Sequence, residues 1–249
     1  TQVELWLLPF LGALIATATL LPALAYARCD RLTPAQTGSF LTCALFSNLG
    51  YLGAFTAFAL YGEVGYGLCM LYLIFFTPCF YTLGFGIAAH YGNAASSSTL
   101  GSAFKGELRL YPFLGMLAGT LLSLSGVPRP ELLLWLNQLL IPANMALSLV
   151  TIGSQLVLTS PRAYLRPCLA MSGIKFLFTP LVAWGLVSLC HLHGIPRAVV
   201  LLQAATPVAV SPLVLPLLFD LDRKLANALW LFTTLMAVPW LLLVLPLLR

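Results

Sequence analysis

The chain has 249 residues, of which 60% are hydrophobic and only 8% charged, with a formal net charge of +5. A soluble domain carries roughly 25% charged residues, and 12 Lys or Arg with 7 Asp or Glu cannot cover a water-facing surface of this size. With a mean hydropathy of +0.97, this excludes a soluble enzyme, a nucleic-acid-binding module and a disordered tail, and points to an all-α polytopic membrane protein.

A helix needs about 20 apolar residues to cross the hydrocarbon core. On that criterion the sequence predicts about eight transmembrane helices, spans A to H, at about 3–26, 39–61, 65–89, 110–127, 131–158, 164–190, 196–219 and 225–248. Span A starts almost at Thr1 and no signal-peptide pattern stands out, so the expectation is either a processed amino terminus or a longer gene product. Span B holds Phe46-Ser-Asn-Leu-Gly-Tyr-Leu-Gly53, an amide and two glycines inside an apolar stretch. After span C, a polar segment from His90 to Arg109 contains a run of small polar residues, Asn93 to Thr99, and reads as a linker. The organisation expected is a three-helix part over 1–90, a cytoplasmic linker over 91–109 and a five-helix part over 110–249.

Span F carries Lys175, about nine residues past Arg166 and so roughly 13 Å into the bilayer. A lysine at that depth should face a polar cavity or bind backbone carbonyls. Span G holds Gln203-Ala-Ala-Thr-Pro-Val-Ala-Val-Ser-Pro212, with Pro216 beyond it. Proline removes a backbone donor and clashes with the preceding turn. Exposed backbone groups in lipid must line a cavity or be buried in protein, so B and G are expected to be broken helices. Asp222, just before span H, is expected to cap it rather than hold a metal.

Positive charge sets the orientation. Arg28, Arg31, Lys105, Arg109, Arg162, Arg166, Arg223 and Lys224 fall in alternate loops, whereas Arg129, Arg197 and Arg249 fall on the other side. This bias puts the linker in the cytoplasm and both chain ends outside. The six cysteines have no CxxC spacing and read as small apolar packing residues. No metal ligand set is apparent, and no cofactor is expected.

Paired helix breaks in corresponding places of two halves are the sequence sign of a transporter substrate site. Setting Leu60-Tyr-Gly-Glu63 against Leu218-Phe-Asp-Leu221 places Asn48 opposite Thr206, with B and G running in opposite directions. The candidate substrate-binding residues are therefore Ser47, Asn48, Gly50, Gly53, Lys175, Gln203, Thr206 and Pro207. Amides and hydroxyls would hold a carboxylate, and the Lys175 charge would favour an anion. Two other roles stay open: Asn48 capping its own broken helix, and Lys175 tying unwound backbone.

Asn48-Leu-Gly-Tyr-Leu-Gly53 with Tyr61-Gly-Glu63 resembles the signature of the auxin efflux carrier family, which includes bacterial permeases and plant auxin exporters. Met145 to Gln155, Lys175 to Pro180, Leu201 to Val210 and Phe219 to Ala226 resemble its later motifs, in the same order. The resemblance implies a ten-helix fold of two inverted five-helix repeats with two broken crossing helices. It also implies carboxylate or auxin-like substrates, a plasma (inner) membrane location and homodimerisation through scaffold helices. Spans A to C match only the last three helices of the first repeat, so the chain reads as a remnant lacking the family's first two helices. Where the first motif usually continues to a proline this chain has Phe55, so the break in span B is expected to rely on Gly50 and Gly53.

All seven carboxylates fall at span ends or in loops, so proton coupling through a core carboxylate is not expected. Sodium held by carbonyls and the Asn48 amide stays open. The function expected is a secondary transporter or uniporter, read as an exporter, of small organic anions, with the lipid bilayer as its surroundings and no nucleic-acid partner. The alternative is a non-transporting membrane sensor or scaffold that keeps the carrier fold.

Overall fold

The computed structural model describes residues 2–92, 131–154 and 161–244, with a few isolated positions between 115 and 125. Most of the predicted linker and span D lie outside the described residues. Those that are described form helices and connecting segments with no β-strand beyond one isolated bridge. Residues 1–94 and 155–249 make one compact unit and 95–154 a second. In the second unit the described helix is α7, Glu131–Ser154.

The first unit begins with α1 (Gln2–Ala18) and α2 (Leu20–Cys29), which meet at Thr19. Next come α3 (Pro34–Leu45), a π-helical turn (Leu49–Gly53) and α4 (Ala54–Tyr72). After α4 the chain forms α5 (Phe76–Cys79), a second π-turn (Phe80–Gly84) and α6 (Phe85–Tyr91). In the carboxy-terminal part, α8 (Leu165–Gly173), a π-turn (Ile174–Phe178) and α9 (Thr179–Leu189) run on without a gap. They are followed by α10 (Gly194–Ala204), α11 (Val214–Leu218) and α12 (Arg223–Val244).

Local chemistry sets the ends of the helices that matter here. Thr33 and Gln36 form a capping box at the start of α3, with Pro34 at the first helical position, where its missing N–H is harmless. The C-terminus of α2 closes when Leu32 N–H donates to Ala27 O at 3.0 Å, with Arg31 in the left-handed region at φ 50°. The end of α9 repeats this geometry: Leu192 N–H donates to Val187 O at 2.9 Å, and His191 has φ 52°. Asp222 Oδ1 accepts from Leu225 N–H at 2.9 Å and caps α12, the role expected from sequence.

Among the described residues, four helical runs are long and apolar enough to cross a membrane: Leu5–Cys29, Leu49–Tyr91, Leu165–Leu189 and Arg223–Leu243. The 43 residues of Leu49–Tyr91 would reach about 65 Å at 1.5 Å per residue, far more than one crossing of about 30 Å needs. That run is notched at Gly62, whose φ of 62° and ψ of −149° only glycine adopts readily. Spans B and C therefore meet at a glycine hinge rather than through a loop. Large apolar side chains such as Leu21, Trp184, Leu189 and Leu243 point outward and are exposed, as lipid-facing positions should be. The architecture is that of a polytopic membrane protein.

Two foci of the interior matter here. Leu8, Leu11 and Ile15 of α1 pack with Ala57, Leu68 and Tyr72 of α4 and with residues of α9 and α10. Beside them, Phe46 contacts the rings of Phe76 and Phe80 at 5.3 and 5.2 Å, edge to face. Both foci border the segment where α3 ends.

Candidate functional site

Helix α3 stops at Leu45, and Phe46 turns to extended geometry at φ −106° and ψ 121°. Helix α10 stops at Ala204, and the chain is non-helical until a short 3-10 turn at Ser211–Leu213. Proline explains the second stop, because Pro207 has no N–H to give and disfavours helical geometry at Thr206. The two opened segments cross and pair as an antiparallel bridge between Ser47 and Val208. Asn48 N–H donates to Pro207 O at 2.7 Å, and Ala209 N–H donates to Phe46 O at 3.1 Å.

Other groups opened by the two breaks are also satisfied. Asn48 Oδ1 accepts from Leu52 N–H at 3.3 Å, so Asn48 caps the π-turn that follows it. Gly53 N–H donates to Asn48 O at 3.1 Å. Thr206 Oγ1 donates back to Gln203 O at 2.7 Å. Val208 N–H donates to Thr233 Oγ1 of α12 at 3.3 Å. An unpaired backbone group in hydrocarbon costs several kcal/mol, so these bonds are what make the crossing tolerable.

Lys175 extends from the π-turn between α8 and α9 and is fully buried. Its ammonium donates to Ala44 O at 2.6 Å and to Ser47 Oγ at 2.8 Å. Ala44 O lies in the last turn of α3, the negative end of that helix dipole. Thr19 Oγ1 shares its one hydrogen between Ala16 O at 2.6 Å and the same Ala44 carbonyl at 2.8 Å. Burying an ammonium costs several kcal/mol. Two charge-assisted bonds at about 1.5–3 kcal/mol each, with about 0.3–2 kcal/mol from the helix end, offset that cost.

Gln203 is fully buried, and neither atom of its amide has a hydrogen-bond partner meeting normal geometry. The Cys69 thiol is near enough to interact with it, but sulfur is a weak partner. Gln203 lies against Gly53, where an added Cβ would overlap Gln203 Oε1 and come within 3.2 Å of Thr206 Cγ2. Beside the crossing is a narrow cleft lined by Thr19, Phe46, Ser47, Tyr72, Thr179 and Gln203, among other residues.

The eight candidates thus divide by position. Ser47 and Gln203 line the cleft. Asn48, Lys175, Thr206 and Pro207 are buried behind it and hold backbone together. Gly53 makes room for Gln203, whereas Gly50 is exposed, with Leu73 Cδ1 at 3.9 Å as the nearest atom to an added Cβ. The expectation that the break in span B relies on Gly50 and Gly53 is corrected. The break falls at Phe46 to Asn48, and Gly53 has helical φ and ψ of −64° and −48°. Cross-chain pairing with the Pro207 segment opens the helix there, without a proline of its own.

Sequence reasoning missed Thr19, Thr179 and Thr233. Each is a buried threonine in an apolar helix whose hydroxyl donates to a backbone carbonyl. Such threonines commonly serve a local backbone break or an interhelical bond, and that was the available signal.

A family model described as "Membrane transport protein" matches residues 1–245. The chain is 25% identical over 238 residues to an uncharacterized transporter of Methanothermobacter thermautotrophicus, covering 94% of this chain and 76% of that protein. It is 26% identical over 214 residues to an uncharacterized transporter of Methanocaldococcus jannaschii, covering 82% of this chain and 66% of that one.

Proposed function

Because the chain belongs to the membrane transport protein family, the group of auxin efflux carrier-like permeases, we propose that it is a secondary transporter or uniporter exporting a small organic anion such as a carboxylate. The substrate site is the cleft beside the crossing. One observation carries this reading: Gln203, whose buried amide has no hydrogen-bond partner of normal geometry, lines the cleft together with Ser47. A buried polar group without a partner needs an explanation, and a bound carboxylate would supply the missing acceptor. Ser47 Oγ already accepts from Lys175, and no described bond uses its hydrogen, which is free to donate to the same anion. The aromatic and aliphatic lining suits an organic remainder.

An inverted repeat is part of the proposal. Arg31 and His191, both in the left-handed region, are 160 positions apart, as are the buried Thr19 and Thr179. Gly62 and Asp220, with φ of 62° and 54°, are 158 apart, the offset that sets Asn48 against Thr206. The antiparallel sense of the Ser47–Val208 bridge supports opposite directions for the two broken helices. With eight spans, a cytoplasmic linker and both ends outside, an inside-negative potential favours export of a monoanion by about 2.3 kcal/mol per 100 mV.

Flux of labelled small carboxylates from proteoliposomes bearing the full gene product, under an imposed potential, tests the proposal. Potential-dependent flux is expected, with Gln203→Leu raising KM about tenfold or more, the equivalent of one lost hydrogen bond to a charged group. Folded protein that moves no carboxylate in either direction would instead favour a non-transporting sensor.

A further inference from the structure

The negative end of a half-helix is where many secondary transporters hold a coupling cation, on carbonyls freed by the break. In this chain that position at the end of α3 is filled by the protein itself. Lys175 Nζ donates to Ala44 O at 2.6 Å and to Ser47 Oγ at 2.8 Å, a backbone carbonyl and a hydroxyl of the kind that bind a small monovalent cation. The lysine is aimed there by its backbone. It sits in the π-turn Ile174–Phe178, a distortion often found at functional sites. Thr179 Oγ1 donates to Ile174 O at 2.7 Å, which satisfies a carbonyl of that turn.

Three further observations favour a fixed ion over a substrate ligand. The side chain is fully buried and is absent from the cleft lining, whereas its acceptor Ser47 is part of it. Ala44 O also lies 2.8 Å from the Thr19 hydroxyl, whose single hydrogen is shared between it and Ala16 O. Among the described residues no carboxylate is bonded to the ammonium, whose partners are a backbone carbonyl and a hydroxyl. The charge therefore answers the helix end and not an acidic partner. At an offset of 160 the position matching Lys175 is Ile15 in α1, which carries no charge.

We propose that the Lys175 ammonium is a tethered cation that occupies the place of a coupling ion at the end of α3, so that the anion moves without sodium. This rests on the crossing being the substrate site, but its test does not rest on flux alone.

Thermal unfolding of the purified full-length protein is compared in sodium, potassium, methylammonium and choline chlorides at equal ionic strength, and flux is measured in the same salts. The wild type should be indifferent, with flux within about twofold and no midpoint shift beyond that of ionic strength. Lys175→Ala vacates an ammonium-sized space. Its midpoint should fall, then rise saturably with sodium or methylammonium but not with choline, which is too large. Lys175→Ser, which adds an oxygen to the vacated space, should respond in the same way. Wild-type flux or stability that drops on replacing sodium with choline overturns the proposal. So do folded variants indifferent to all four cations, and so does failure of both variants to fold in high sodium or methylammonium. If no variant and no wild type carries an anion, the transport reading fails while the unfolding series still decides the tethered cation.

Discussion

Gly53→Ala tests whether the contact between the π-turn and Gln203 matters. An alanine Cβ there would overlap Gln203 Oε1, approach its Cδ to 2.9 Å and Thr206 Cγ2 to 3.2 Å. Thr206 cannot yield easily, because its hydroxyl is bonded to Gln203 O at 2.7 Å. The Gln203 amide must therefore swing into the cleft it borders. An off-rotamer side chain costs about 0.5–1.5 kcal/mol, and overpacking of a filled interior costs about 1–3 kcal/mol in all. That total is about 5- to 140-fold in the folding equilibrium. The displaced amide also narrows the cleft, so transport should fall with stability.

Gly50→Ala is the control, since its Cβ meets nothing nearer than 3.9 Å. It should be neutral or more stable by about 0.4–1 kcal/mol through the unfolded chain. Both variants are read by thermal unfolding in detergent and by carboxylate flux. In Gly53→Ala with Gln203→Ala the clash is gone, and stability should return towards that of Gln203→Ala alone. If Gly53→Ala matches Gly50→Ala in both assays, or if Gln203→Ala gives no relief, the packing argument is wrong.

Thr233→Val keeps the shape but removes the acceptor for Val208 N–H. A buried donor left unpaired costs about 1–3 kcal/mol, and hydrogen exchange at the Val208 amide should quicken along with the loss of stability. Unchanged exchange would mean that another group satisfies that amide. Thr33→Ala breaks the capping box of α3 and should cost about 0.5–2 kcal/mol, with flux in the surviving folded protein unchanged, since the cap is at the far end of α3 from the crossing. A change in KM would show that the two ends of α3 are coupled.

The crossing explains why its residues do such different work. Asn48, Pro207, Thr206 and Thr233 satisfy opened backbone, which any break in lipid demands. Of the candidate residues, Ser47 and Gln203 are the ones that line the cleft. Lys175 stands between the two sets, bonded to a helix end on one side and to Ser47 on the other.

Much of this was legible without a structure, because the signals were local or compositional. Few charges and long apolar stretches specify membrane helices, wherever those helices pack. Pro207 stops α10 by its own covalent geometry, and Thr33, Gln36 and Asp222 announce helix starts by their spacing alone. Depth along span F was enough to require a polar environment for Lys175. What the sequence could not show was which groups meet. Ser47 and Val208, or Lys175 and Ala44, are well over a hundred residues apart, and nothing local to either names its partner. For the same reason Gly50 and Gly53 look alike in the chain, yet only Gly53 faces Gln203. The break in span B is the clearest case: it lies at Phe46 to Asn48 because the Pro207 segment offers those groups hydrogen bonds. Local propensity decides that a helix can be interrupted, but in lipid the interruption forms only where another part of the chain satisfies the backbone it exposes.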